Sequence, residues 1–136
     1  MKDHSILKLK AKVQKVFNKF IRSRDSEDGY FICISCNVRK SISQMNAGHY
    51  YPAGQYQSLR YNEHNVNGEC IQCNFYGGDH LITYGHNLRK KIGNDAVDQL
   101  DLIASVEKNK GHHKLDRMTL MVKLSIYKDK LKAING

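Results

Sequence analysis

The sequence predicts an α+β fold, in which a small hairpin-and-helix core is stapled by a metal ion and flanked by N- and C-terminal helices. Three observations carry this expectation. The four cysteines fall into two Cys-x2-Cys pairs, Cys33/Cys36 and Cys70/Cys73. Short, partly β-favouring stretches lie between the pairs, at Met45 to Tyr51 and Ser58 to Tyr61, separated by Pro52, Ala53 and Gly54. Before and after this region, apolar residues recur at three- and four-residue steps.

In chain order, residues 1–25 read as a basic amphipathic helix. Ile6, Leu9, Val13, Val16, Phe17, Phe20 and Ile21 form its apolar stripe, and Lys8, Lys10, Lys12, Lys15, Lys19, Arg22 and Arg24 spread over the remainder. Asp25 to Gly29 is polar and ends it. Residues 30–80 hold both cysteine pairs and the expected hairpin of Met45 to Tyr51 with Ser58 to Tyr61. Gly77 and Gly78 keep any helix that starts at Asn74 short. Residues 81–136 read as helical, in stretches Tyr84 to Ile92, Asp95 to Val106 and Thr119 to Ile134, the last capped by Asp116. Its stripe of Leu120, Leu124, Tyr127, Leu131 and Ile134 suits packing on the same chain, and is also of the kind that seams a homodimer. The length, 136 residues, fits a single domain, 1–136.

No apolar run approaches the roughly 18 residues of a membrane span. Met1 to Lys12 lacks the uninterrupted stretch of a signal peptide, so a soluble intracellular protein without a membrane partner is expected. In that reducing setting two disulfides are disfavoured. Two Cys-x2-Cys turns instead supply the four thiolates of a closed, tetrahedral structural Zn²⁺ site with no open position for water. Such a site hydrolyses nothing; it pins two distant segments and holds in place what lies between them. The 22 Lys and Arg against 13 Asp and Glu give a net charge of +9, which favours a polyanion such as nucleic acid as partner.

Between the staples lie Asn46-Ala47-Gly48-His49-Tyr50-Tyr51 and Asn62-Glu63-His64-Asn65-Val66-Asn67-Gly68-Glu69, running into Cys70-Ile71-Gln72-Cys73-Asn74. This arrangement resembles the zinc-stapled HNH, or ββα-metal, nuclease motif. Phe17 to Asp25, Cys33-Ile34-Ser35-Cys36, Ala47-Gly48-His49-Tyr50, Leu59 to Glu63, Asn65-Val66, Cys70 to Asn74 and Tyr84 with Leu88, Ile92 and Gly93 are, more closely, similar to the NinG/Rap family of lambdoid phage recombination proteins. The resemblance implies a ββα-metal-like core and a structure-specific endonuclease acting on branched DNA. It would be a cytoplasmic phage or prophage protein in a bacterial host, working beside other recombination proteins.

Carried over by position, the resemblance makes His49 the general base, Asn65 the brace of the loop and Asn74 a ligand of a catalytic Mg²⁺ or Mn²⁺. Arg39 and Arg60, with Arg22 and Arg24, are expected to contact DNA phosphates. The products would carry 5′-phosphate and 3′-hydroxyl ends. One departure stands out. The acidic ligand that often precedes the catalytic His is missing, because Gly48 occupies its place and Asn46 is a neutral stand-in at best. A hard cation favours a carboxylate, and Glu63 is the expected replacement, with Asp79 behind it. The other histidines, His64, His80, His86, His112 and His113, lack this context and read as surface or core residues, with His64 and His80 the strongest exceptions. The missing carboxylate keeps open a zinc-stapled DNA-binding or recombination-accessory module without catalysis. A zinc-organised protein-interaction domain is a third reading.

Overall fold

The computed structural model describes residues 2–76, 80–111 and 114–135. Asp79, His112 and His113 therefore lie outside the described residues. The architecture is mixed helix and small antiparallel sheets. Helix α1 (Lys2–Arg24) leads into a three-stranded sheet, β1 (Ser26–Glu27), β2 (Tyr30–Ile32) and β3 (Arg39–Ser41), in the order β1-β2-β3. A second sheet pairs β4 (Met45–His49) with β5 (Val66–Cys70), and helix α2 (Ile71–Tyr76) follows directly. Three longer helices complete the chain: α3 (His80–Ile92), α4 (Asn94–Lys110) and α5 (Arg117–Asn135).

Helices α1 and α5 form where the periodicity places them. Val13, Phe17, Phe20 and Ile21 of α1 are buried against Leu120 and Tyr127 of α5, together with Tyr61 and Val66. The Phe17 and Tyr127 rings meet edge to face at 4.8 Å, the arrangement that their quadrupoles favour. The C-terminal stripe is thus used within the chain, through Leu120 and Tyr127, with Leu124 packed beside them. Asp116 caps α5 as expected, its Oδ1 accepting from the Thr119 N–H at 2.7 Å. Gly93, at φ 92°, lies in the left-handed region that suits glycine, which lets α3 stop and α4 start one residue later.

The hairpin differs from the expected one. Ser58 to Tyr61 is not a strand: Gln57–Leu59 is a 3₁₀ turn, and the partner of β4 is β5, in the register Met45↔Cys70, Ala47↔Gly68, His49↔Val66. The physical reason is a carboxylate on α4. Glu107 accepts the Gln57 N–H at 2.8 Å, the Ser58 N–H at 3.1 Å and the Ser58 hydroxyl, which captures the turn and removes its donors from any ladder. The hairpin lies between two apolar layers. Val66 and Ala47 face the α1–α5 layer. On the other side Leu59, Tyr84, Leu88, Val97, Leu100 and Ala104 join α3 and α4 to the loop.

Candidate active site

The two Cys-x2-Cys turns converge at the base of the hairpin. The four sulfurs of Cys33, Cys36, Cys70 and Cys73 all lie within 4.8 Å of one another, and all four are free thiols. A tetrahedral zinc with Zn–S distances near 2.3 Å needs sulfurs about 3.8 Å apart, and the Cys36–Cys70 pair stands at 4.0 Å. The donor set fits a structural metal such as zinc. Backbone N–H groups of Cys36, Cys70 and Cys73 point at sulfur, and Lys40 Nζ lies 3.4 Å from Cys70 Sγ. Burial raises the Cys70 thiol, but the sulfur-directed hydrogen bonds outweigh it and bring the thiol down to about 7, closer to the thiolate that a metal takes.

His49 ends β4, where the ladder opens into the loop. Its Nε2 lies 3.0 Å from the Arg60 carbonyl oxygen. A carbonyl can only accept, so Nε2 carries the proton of the neutral ring and Nδ1 keeps a free lone pair. Burial lowers the imidazole below its ordinary value, the Arg60 carbonyl pulls the other way, and the Arg60 charge adds to the lowering. The ring is therefore held neutral and oriented near pH 7.

The loop that orients His49 is held by Asn65, which is fully buried. Asn65 Nδ2 donates to the carbonyls of Tyr51 and Leu59, both at 3.0 Å, and Oδ1 accepts the Tyr51 N–H at 2.9 Å. It thereby fixes the peptide one residue before the carbonyl that His49 uses. Tyr84 of α3 anchors the hairpin from below, donating to the Gly48 carbonyl at 2.6 Å and accepting from Asn67 Nδ2 at 3.2 Å. Asn74 lies half-buried in α2, directly after the last cysteine.

The remaining expected site residues divide into two groups. Glu63 is engaged by α5: it accepts from the Tyr127 hydroxyl at 3.0 Å and pairs with Lys130 at 2.5 Å. Arg24 points inward as a clamp, pairing with Asp25 at 2.7 Å and donating to the Glu63 carbonyl at 2.8 Å and the Val66 carbonyl at 2.9 Å. Arg60 is tied to Gln57 and Gln14. Arg39 and Arg22 are exposed, and Arg39 stacks 4.0 Å from the centre of the Tyr30 ring. The sequence reading missed Asp25, whose carboxylate binds Arg24, Lys91 and the Gly68 N–H. Burial raises Asp25, yet the hydrogen bond and charge of Arg24, followed by Lys91, hold it below the ordinary carboxylate value. It also missed the buried pair Ser35 and Glu69, in which Glu69 accepts from the Ser35 hydroxyl and lies 2.7 Å from Nδ1 of His80, one of the two histidines that the sequence set apart. No local pattern marks these groups, because apart from Arg24 beside Asp25 their partners are distant in sequence.

The model of the family described as Bacteriophage Lambda NinG protein matches residues 2–136. The chain belongs to the NinG family. Among curated relatives, protein ninG of Escherichia phage lambda is 38% identical over 88 residues, covering 65% of this chain and 41% of that protein. The ninG proteins of Escherichia phage 933W and Salmonella phage P22 are each 36% identical over 88 residues, and the match covers 42% and 41% of their lengths. The match thus spans about four-tenths of these NinG relatives. No solved structure matches. Among the described residues, no helix is long and apolar enough to cross a membrane.

Proposed function

We propose that this NinG protein is a metal-dependent DNA endonuclease with a zinc-stapled ββα-metal core, selective for branched recombination intermediates. The observation that carries the reading is His49: a neutral imidazole, oriented through Nε2 by the Arg60 carbonyl, with Nδ1 free. It stands at the end of a hairpin whose second strand runs straight into a helix bearing Asn74. A general base must be unprotonated at working pH and held in position, and His49 meets both conditions.

In this mechanism His49 Nδ1 takes a proton from the water that attacks the phosphorus in line. Asn65 keeps the Leu59–Arg60 peptide in place, so that the imidazole does not turn away. Asn74 would help to hold Mg²⁺ or Mn²⁺, which when bound stabilises charge on the phosphate and the leaving oxygen. Arg39 and Arg22, both exposed, would contact flanking phosphates and set the strand without reading bases. The zinc would be structural and take no part in the chemistry. A binding module without catalysis is the alternative, favoured by one observation: Glu63, the acidic residue expected at the cation, is already engaged by Tyr127 and Lys130.

The test is incubation of the zinc-loaded protein with branched and linear DNA in Mg²⁺ or Mn²⁺. The nuclease reading expects cuts near the branch that leave 5′-phosphate ends, and little cutting of linear duplex. Salt-sensitive binding without cleavage in either metal would establish the accessory module instead.

A further inference from the structure

Among the described residues, the only buried side-chain nitrogen or oxygen without a hydrogen-bond partner is Oε1 of Glu69. The Glu69 side chain is 0% exposed, and its other oxygen is committed to Ser35 and His80. A carboxylate oxygen buried without a partner is costly unless a donor or a cation meets it. No donor among the described residues does so.

Where Oε1 lies is the second observation. A β-carbon added at Gly48 would collide with Glu69 Oε1 and come within 2.9 Å of Glu69 Cβ. The carboxylate therefore fills the space that a side chain at position 48 would take. That is the position, directly before His49, at which the nuclease pattern carries its acidic metal ligand. Glycine there makes room for a carboxylate that arrives from the neighbouring strand.

The third observation is His80. It opens α3, its side chain is 19% exposed, and its Nδ1 is 2.7 Å from Glu69 Oε2. A carboxylate that ligates a metal through one oxygen is commonly held in place by a hydrogen bond to the other, and His80 stands at Oε2 to make it. A carboxylate oxygen, with water completing the shell, suits Mg²⁺ or Mn²⁺.

We infer that Glu69 supplies the carboxylate of a divalent-cation site beside Gly48, with His80 holding that carboxylate in place through Oε2, in the role that sequence position alone assigned to Glu63. The inference rests on the nuclease reading only for what the cation is used for. Binding itself is independent of cleavage.

The experiment is titration of the zinc-loaded 136-residue chain with Mn²⁺, following free Mn²⁺ by electron paramagnetic resonance. Zinc content and melting temperature are checked for each variant. Wild type should take up one Mn²⁺ beyond the zinc. Glu69→Gln preserves shape and can still bond Ser35 and His80, and it should weaken Mn²⁺ at least tenfold. His80→Ala, at a partly exposed helix start, should weaken it about tenfold and serves as the reading if Glu69→Gln loses zinc. Glu63→Ala should bind Mn²⁺ as wild type does.

Wild type without a Mn²⁺ site, or Glu69→Gln and His80→Ala with wild-type affinity, would overturn the inference. So would a loss confined to Glu63→Ala. If Mn²⁺ binding depends on Glu69 but wild type cuts no DNA, the site stands and the nuclease reading falls. If wild type cuts and Glu69→Gln both cuts and binds Mn²⁺ equally well, the nuclease reading stands and the site falls.

Discussion

The two faces of the β4–β5 hairpin are filled by opposite means. Toward α1 and α5, Ala47 and Val66 meet Phe17, Tyr61, Leu120 and Tyr127, and the contact is apolar packing with few directional demands. Toward α3, Asn65, Asn67 and Glu69 are buried beside Gly48 and Tyr84, and nearly every polar atom has a named partner. An apolar face of similar volume would hold the sheet at least as well. The polar face is instead specific: it sets the Leu59–Arg60 peptide, and through it the imidazole of His49. The same three-layer packing thus gives stability on one side and orientation on the other.

The cysteine cluster ties the first sheet to the base of the hairpin, with Phe31 and Met45 packed on it, so its removal should have the largest effect. Metal analysis should find one tightly bound zinc per chain, and apparent binding free energies for structural zinc run to about 10–16 kcal/mol. Chelation or Cys70→Ser should abolish cooperative unfolding and near-ultraviolet circular dichroism. A cooperative, zinc-free protein with full helical signal would break the comparison at its base.

Next come the two faces themselves, read by urea unfolding of zinc-loaded protein. Phe17→Ala should cost about 3–5 kcal/mol through the cavity it leaves, with little change in DNA affinity. Tyr84→Phe should cost less, about 1–3 kcal/mol, because it leaves the Gly48 carbonyl and the Asn67 amide each short of a partner. The smaller loss should nevertheless do more damage to cleavage. Equal loss of cleavage per unit of stability in both variants would erase the distinction between the faces.

The smallest expected effect is that of pH on stability. The folded value of His49 is lowered below 6.5, mainly by burial. The unfolded chain therefore binds the proton more readily, and stability rises with pH in this window. The His49 contribution is fully present above 6.5 and lost as pH falls through the lowered value. Asp25 and Glu63, also lowered, lose theirs only in the acid range below their ordinary carboxylate values of 3.8 and 4.5. Wild type minus His49→Gln should thus show a stability difference that shrinks from pH 7.5 to pH 5. A difference that grows on acidification would reverse the assignment.

What could be read from sequence follows the same division. The α1 and α5 stripes, the Asp116 cap, the cysteine cluster and the β4 stretch carry local signals, periodicity or spacing, that need no knowledge of the fold. Strand β5 carries none: Val66-Asn67-Gly68-Glu69-Cys70 is buried on both faces, so no alternation marks it, and Asn and Gly are poor strand formers. The pattern therefore placed the partner strand at Ser58 to Tyr61, where Glu107 holds a 3₁₀ turn instead. Asn65 stood out only by resemblance, and its bonds to the Tyr51 and Leu59 carbonyls come from the folded loop. Arg24 was expected at DNA phosphates and is an inward clamp on two carbonyls, a role that only the folded chain reveals. Glu69 was legible as a residue but not as a site, since Ser35, Gly48 and His80 reach it from three other elements.

The central claim is that the hairpin exists to hold His49 as a neutral base, and its most direct test is single-turnover cleavage of branched DNA by His49→Ala. General-base catalysis contributes roughly 10² to 10⁴-fold. The account predicts a rate loss of that order or beyond, with zinc content, melting temperature and DNA affinity close to those of wild type. A His49→Ala protein that cuts as fast as wild type would contradict it.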